Sequence, residues 1–131
     1  MKYLTISVFV DVINRETIYK VNRVGFYVIN LDDKTGPGTH WVAMYYNPKF
    51  TFYFDSFGMP PPQELINKTD DRLVYNSSQY QNLKSVLCGY FCMLFIIEMY
   101  RTGDYHHFIR LLSETDSIEN EKFVTDYFSQ F

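Results

Sequence analysis

Cys88 stands on a boundary in the sequence. Before it Gln79, Gln81, Asn82, Lys84 and Ser85 are polar; after it come twelve residues, Gly89 to Tyr100, with Glu98 as their single charge. The apolar run reads as a core helix, so the boundary predicts a helix N-terminus at the thiol itself. Unpaired backbone N–H groups and the positive end of the helix dipole favour a thiolate there, and the thiolate is the nucleophilic form of cysteine. Gly89, lacking a side chain, leaves room for a substrate backbone beside the sulfur. Taken alone, Cys88 reads better as a small buried hydrophobe. Its chemistry depends on what the rest of the chain brings to it.

Two other residues are brought together by the pattern around them. HWVAMYYN and FTFYFD are rich in β-branched and aromatic residues and are separated by Asn47, Pro48 and Lys49, which reads as an antiparallel hairpin. With a turn near Pro48, His40 falls opposite residue 55 or 56, and cross-strand neighbours have Cβ atoms about 5 Å apart. The His40 imidazole and the Asp55 carboxylate are therefore expected to meet. A thiolate, an imidazole that shares and returns its proton, an acceptor that orients the ring and a donor for an oxyanion are the parts of thiol-based acyl transfer. Cys88, His40, Asp55 and the side-chain amide of Gln81 offer one of each, in the chain order His, Asp, Gln, Cys.

The elements that must position these groups follow from composition and periodicity. With 131 residues, 47% hydrophobic and 19% aromatic, the chain reads as one globular domain over 1–131, with N-terminal strands at 1–24 and a core over 25–131. A first strand has Ile6, Val8, Val10 and Val12 on one face, and a second alternating stretch runs from Thr17 to Val21. Gly25 to Asp32 reads as a buried strand, and the Gly- and Pro-containing loop after it delivers the chain to His40. Past Asp55, Gly58 and three prolines force a turn before a short helix led by Gln63 and Glu64. LVYN is a short strand, a helix is capped near Thr102 or Asp104, and a last amphipathic helix buries Phe123, Val124, Tyr127 and Phe128. The fold class is α+β, a small mixed or antiparallel sheet packed on a central helix that bears the nucleophile at its N-terminus.

Several function classes lose support. The formal charge is −3 with no basic stripe, so no nucleic-acid partner is expected. The apolar run of about a dozen residues falls short of the roughly 20 that span a bilayer. Two cysteines build no disulfide framework, which fits a reducing intracellular compartment, cytosol or nucleus. Cys88, Cys92, His106 and His107 would have to converge to hold zinc, but adjacent histidines on a helix diverge by about 100°. Neither metal nor cofactor is expected, and the chain is expected to be a monomer.

The segments GTHWVAMYYN and YFDSFG, with Gln81 seven residues ahead of the cysteine in CGYFC, resemble the adenovirus-type maturation proteases (adenains) and the SUMO- and ubiquitin-like-protein proteases. The adenain-like proteases of large DNA transposons and related viruses are the nearest in pattern. The resemblance spans Phe26 to Tyr100 and implies a cysteine protease with His40 as general base, Asp55 as orienting acid, Gln81 as oxyanion-hole donor and Cys88 as nucleophile. Gln79 lies two residues too early for the donor. By analogy with the SUMO-protease branch, Trp41 would roof a narrow channel that admits glycine near the scissile bond. The implied activity is an endopeptidase acting on glycine-containing sites in viral or transposon-encoded precursors, with the virion as a further location. Alternatives are a deconjugating protease for ubiquitin-like proteins, an inactive binding module and an acyltransferase, the last disfavoured by the lack of a basic pocket. The region before Gly25 departs from the helical N-terminal portion of adenains. Their activators, DNA and a disulfide-linked peptide, are not implied without a basic stripe or a third cysteine. Where adenains carry glutamate, Asp55 matches the SUMO-protease branch.

Overall fold

The computed structural model describes residues 9–31, 40–82 and 85–130. Five strands form one sheet in chain order: β1 (Val10–Asn14), β2 (Gly25–Asn30), β3 (Trp41–Tyr46), β4 (Thr51–Phe54) and β5 (Leu73–Tyr75). β2, β3 and β4 form an antiparallel meander, while β1 joins β2 and β5 joins β4 in parallel. A parallel neighbour requires a crossover. The first is a 3₁₀ helix, Arg15–Lys20, and the second is α1 (Gln63–Thr69) with a 3₁₀ turn at Asp70–Arg72.

Strand alternation sorts the side chains between two layers. Tyr27, Ile29, Val42, Met44 and Tyr53 point to the crossover side, where Ile18, Val21 and Leu65 close a small core. Phe26, Ala43 and Phe54 point to the other side and meet α2 (Cys88–Thr102), α3 (Tyr105–Arg110) and α4 (Ser117–Phe128). Phe91, Leu94, Phe95 and Phe108 are fully buried there, each burial worth about 1.5–3 kcal/mol. α2 ends where Gly103 adopts φ 64° and its N–H bonds to the Met99 carbonyl at 2.7 Å. Glu98, the lone charge of the run, is buried and accepts from Arg101 Nη1 (2.6 Å) and from the Tyr127 hydroxyl (2.7 Å), tying α4 to α2. Burial, and then the Glu98 contact, pushes the Tyr127 phenol up to about 12. No helix among the described residues is long and apolar enough to cross a membrane.

The expected α+β architecture is the one found, with two corrections near the start. Thr17 to Val21 is not a strand: Arg15–Lys20 is 3₁₀, and Ile18 and Val21 are buried three residues apart, which is one 3₁₀ turn. The Thr17 hydroxyl donates to the Asn14 carbonyl at 3.0 Å and helps start that turn. Val10 and Val12 do share a face, but they are 47% and 62% exposed, because β1 is an edge strand and α2 packs on β3. Ile13, pointing the other way, is the β1 residue packed on the crossover core. Ile6, Val8 and the loop ahead of His40 lie outside the described residues.

Gly58 closes the turn after β4. It has φ 75°, donates its N–H to the Asp55 carbonyl at 2.8 Å, and a Cβ there would sit 2.6 Å from the Ser78 carbonyl oxygen. Gly58→Ala combines a left-handed backbone with a main-chain clash and is expected to cost about 2 kcal/mol or more, measured by denaturant unfolding. Unchanged stability would mean that this turn is not held as described.

Candidate active site

His40 lies at the mouth of β3, where its carbonyl accepts the Leu31 N–H at 2.9 Å and extends the β2 ladder by one bond. Its ring reaches Asp55, the residue that follows β4, with Nε2 3.1 Å from Oδ2. The hairpin register pairs Ala43 with Phe54. Continued outward, it sets His40 across from Phe57 rather than Asp55, and the imidazole stacks on the Phe57 ring at a centroid distance of 4.8 Å. The expected pair therefore forms on the diagonal, because the chain leaves the ladder at Phe54 and turns back under the ring. Nε2 is turned to the carboxylate, and Nδ1 on the other side of the ring is shielded from solvent.

Asp55 is fully buried, and its geometry is over-determined. Oδ2 faces His40, while Oδ1 accepts the Phe57 N–H at 2.8 Å. The buried Asn76 side chain holds its backbone on both sides, accepting from Asp55 N (3.0 Å) and donating to Asp55 O (2.7 Å). Residue-type logic had no reason to single out Asn76. The one trace is its position directly after β5, the strand parallel to β4, which places it beside Asp55. Asn76→Ala would strand a buried N–H and is expected to cost about 2–3 kcal/mol, read by thermal unfolding. A loss under a few tenths would mean that water replaces the amide.

Gln81 is also fully buried. Its backbone N–H bonds to the Ser56 carbonyl at 3.0 Å; its Oε1 accepts the Ser56 hydroxyl at 2.5 Å, and its Nε2 donates to the Ser85 carbonyl at 3.1 Å. The side chain thus bridges the turn after Asp55 and the loop before Cys88. Gln79 is exposed and spends its amide on the Gln81 carbonyl at 2.9 Å.

Cys88 is the first residue of α2, where the sequence places it. Leu87 occupies the N-cap position and has no side-chain acceptor, so no cap side chain from that residue consumes the N–H groups of the first turn. Cys88 and Cys92, one turn apart, are 4% and 2% exposed. Burial pushes the Cys92 thiol well above its ordinary value, and Cys88 and Asp55 add to the shift. Cys92 is thereby held as a neutral thiol.

Gly89 is exposed, with nothing within 4 Å of where a Cβ would stand, so the space over Gly89, next in the chain to Cys88, is open. Trp41 is half-buried, packs on the helix-side core and is among the residues lining a cleft of about 740 Å³, with Ile13, Val21 and Tyr27. His106 and His107 are exposed on α3 while both cysteines are buried, so these four do not converge on one ion.

Among solved structures, the fold is similar to that of the ASFV pS273R protease, with a TM-score of 0.58 at 18% sequence identity, over 87% of this chain and 57% of that one. The Se-Met structure of the same protease aligns at a TM-score of 0.49 and 22% identity, over 72% of this chain and 46% of that one. This chain therefore spans little more than half the length of the ASFV protease. No protein-family model and no curated protein matches the sequence. At this identity the likeness is one of fold, a five-stranded mixed sheet with helices.

Proposed function

We propose that the chain is a cysteine protease with Cys88 as nucleophile, His40 as general base and acid, Asp55 as orienting acid and Gln81 as an oxyanion donor. The observation that carries this reading is the 3.1 Å contact between His40 Nε2 and a fully buried Asp55, in a chain whose Cys88 begins helix α2. The likeness in fold to a protease supports the class. Cys88 Sγ, its proton passed to His40 Nδ1, attacks the scissile carbonyl carbon; the C=O π electrons move onto oxygen. The oxyanion is met by first-turn N–H groups of α2 and by Gln81. Collapse breaks the C–N bond, His40 Nδ1–H protonates the departing amine, and a thioester remains. Water, deprotonated by His40, then attacks the thioester and returns the thiol. Asp55 keeps the ring oriented and stabilises the imidazolium throughout.

The substrate is a protein or peptide with glycine near the scissile bond, in viral or transposon-encoded precursors processed inside the cell or the virion. An indole beside the base leaves little space for a Cβ on the substrate, which is why Trp41 is assigned to selectivity. Trp41→Ala is expected to raise turnover of peptides with alanine in place of glycine about tenfold relative to the glycine peptides, a gain on the scale of one freed methyl contact. An unchanged profile would leave Trp41 to core packing alone. The class itself is tested with a panel of Gly-Gly and Gly-X fluorogenic peptides run beside electrophilic ubiquitin-like probes. Turnover of short peptides supports precursor processing, reaction with the probes alone would favour deconjugation, and neither from folded protein would contradict the reading.

A further inference from the structure

Ser56 follows the orienting acid and is 2% exposed, yet nothing in thiol chemistry calls for a serine there. Its carbonyl accepts two N–H groups of the incoming segment, Tyr80 at 2.8 Å and Gln81 at 3.0 Å, and its hydroxyl donates to Gln81 Oε1 at 2.5 Å. The far end of the same amide donates to Ser85 O, three residues before Cys88. A carbonyl oxygen only accepts, so the Ser85 contact requires Nε2 on the side of the cysteine loop; the hydroxyl then satisfies Oε1, which would otherwise be buried without a donor. An amide nitrogen carries two hydrogens, and Ser85 takes one.

We propose that Ser56 is a positioning residue for the oxyanion donor: its hydroxyl clamps Oε1 of Gln81 so that the second Nε2 hydrogen is presented to the reacting carbonyl. This inference rests on the protease reading, and it makes the turn after Asp55 responsible for two components of the site. The same short turn that aims the acid at His40 through the Phe57 N–H aims the amide through the Ser56 hydroxyl. A hydrogen bond formed mainly in the transition state raises kcat with little effect on KM, so loss of the clamp belongs in kcat.

The experiment is a kinetic double-mutant cycle on Ser56→Ala and Gln81→Ala. Gln81→Ala is expected to lower kcat about a hundredfold, the usual loss for one oxyanion donor. Ser56→Ala is expected to lower kcat about tenfold, a part of that loss, with KM within about twofold. Alkylation of Cys88 by iodoacetamide, which forms no oxyanion, should stay near the parent rate in both. On the Gln81→Ala background Ser56→Ala should cost nothing further. The same loss on both backgrounds, or a parallel fall in alkylation, would overturn the proposal, since Ser56 would then act on the cysteine loop or on stability. A second measurement needs no activity: the Ser56 hydroxyl proton, held between Oγ and Gln81 Oε1, should exchange slowly with solvent in the parent protein and be observable in its ¹H spectrum. Exchange at the rate of a free hydroxyl would overturn the clamp, and this decides it even where Ser56→Ala does not fold. Absence of peptide cleavage by the parent would contradict the protease reading, while slow exchange would still support the clamp.

Discussion

Cys88→Ala is expected to abolish peptide hydrolysis and labelling by thiol-reactive electrophiles while the protein stays folded. The sulfur sits at the first residue of α2 and is 4% exposed, so removing it deletes the proposed nucleophile at a stability cost of about 1–2 kcal/mol, as for any buried thiol. Cys92→Ala is the matched control. That thiol is fully enclosed one turn further in and is held neutral by burial, so its loss should cost about 1–2 kcal/mol of stability and leave labelling at Cys88 measurable. Equal loss of activity from both substitutions, with folding intact, would point instead to joint metal ligation by the two sulfurs.

His40→Ala is expected to lower kcat about 10³-fold, close to 4 kcal/mol, because in the proposed mechanism His40 is the group that returns a proton to the leaving amine. Asp55→Asn is expected to be nearly as damaging, and the reason lies in the contacts of the carboxylate. From the sequence alone, an asparagine is expected to orient the ring and cost less. In the structure Oδ1 is taken by the Phe57 N–H, so an asparagine must place its oxygen there and turn its NH₂ toward His40 Nε2. Two donors then face each other unless Nε2 gives up its proton, which forces the hydrogen onto Nδ1 and leaves that nitrogen unable to accept the thiol proton. Steady-state kinetics on both variants checks this; an Asp55→Asn enzyme with normal rates would remove Asp55 from the site.

The parts of this arrangement that were legible in the sequence are those written in local pattern. The polar-to-apolar boundary places the start of α2 at Cys88, and Asn47 and Pro48 between two strongly β-forming runs place the hairpin that carries His40 and Asp55. The parts that were not legible depend on tertiary context. Five residues from Thr17 to Val21 fit a period of two as well as a period of three, and only the pocket that receives Ile18 and Val21 decides for the 3₁₀ turn. Val10 and Val12 alternate as a core face does, but which face of an edge strand is covered depends on where α2 packs. The diagonal meeting of His40 and Asp55 follows from the chain leaving the ladder at Phe54, a matter of one residue that spacing does not resolve. Asn76 and Ser56 are ordinary polar residues in sequence, and their burial against Asp55 and Gln81 is visible only once β5 and the turn are in place.

The central claim, that Cys88 is a nucleophile served by His40, is tested most directly by mapping the adduct of a substrate-like electrophile. The folded protein is incubated at neutral pH with a short peptide ending in glycine vinyl sulfone, and the modified residue is located by mass spectrometry in the parent, Cys88→Ala and His40→Ala proteins. A single adduct on Cys88, lost in Cys88→Ala and formed at least tenfold more slowly in His40→Ala, is the result this account requires. An adduct on Cys92, no adduct on the folded parent, or equal labelling with and without His40 would contradict it.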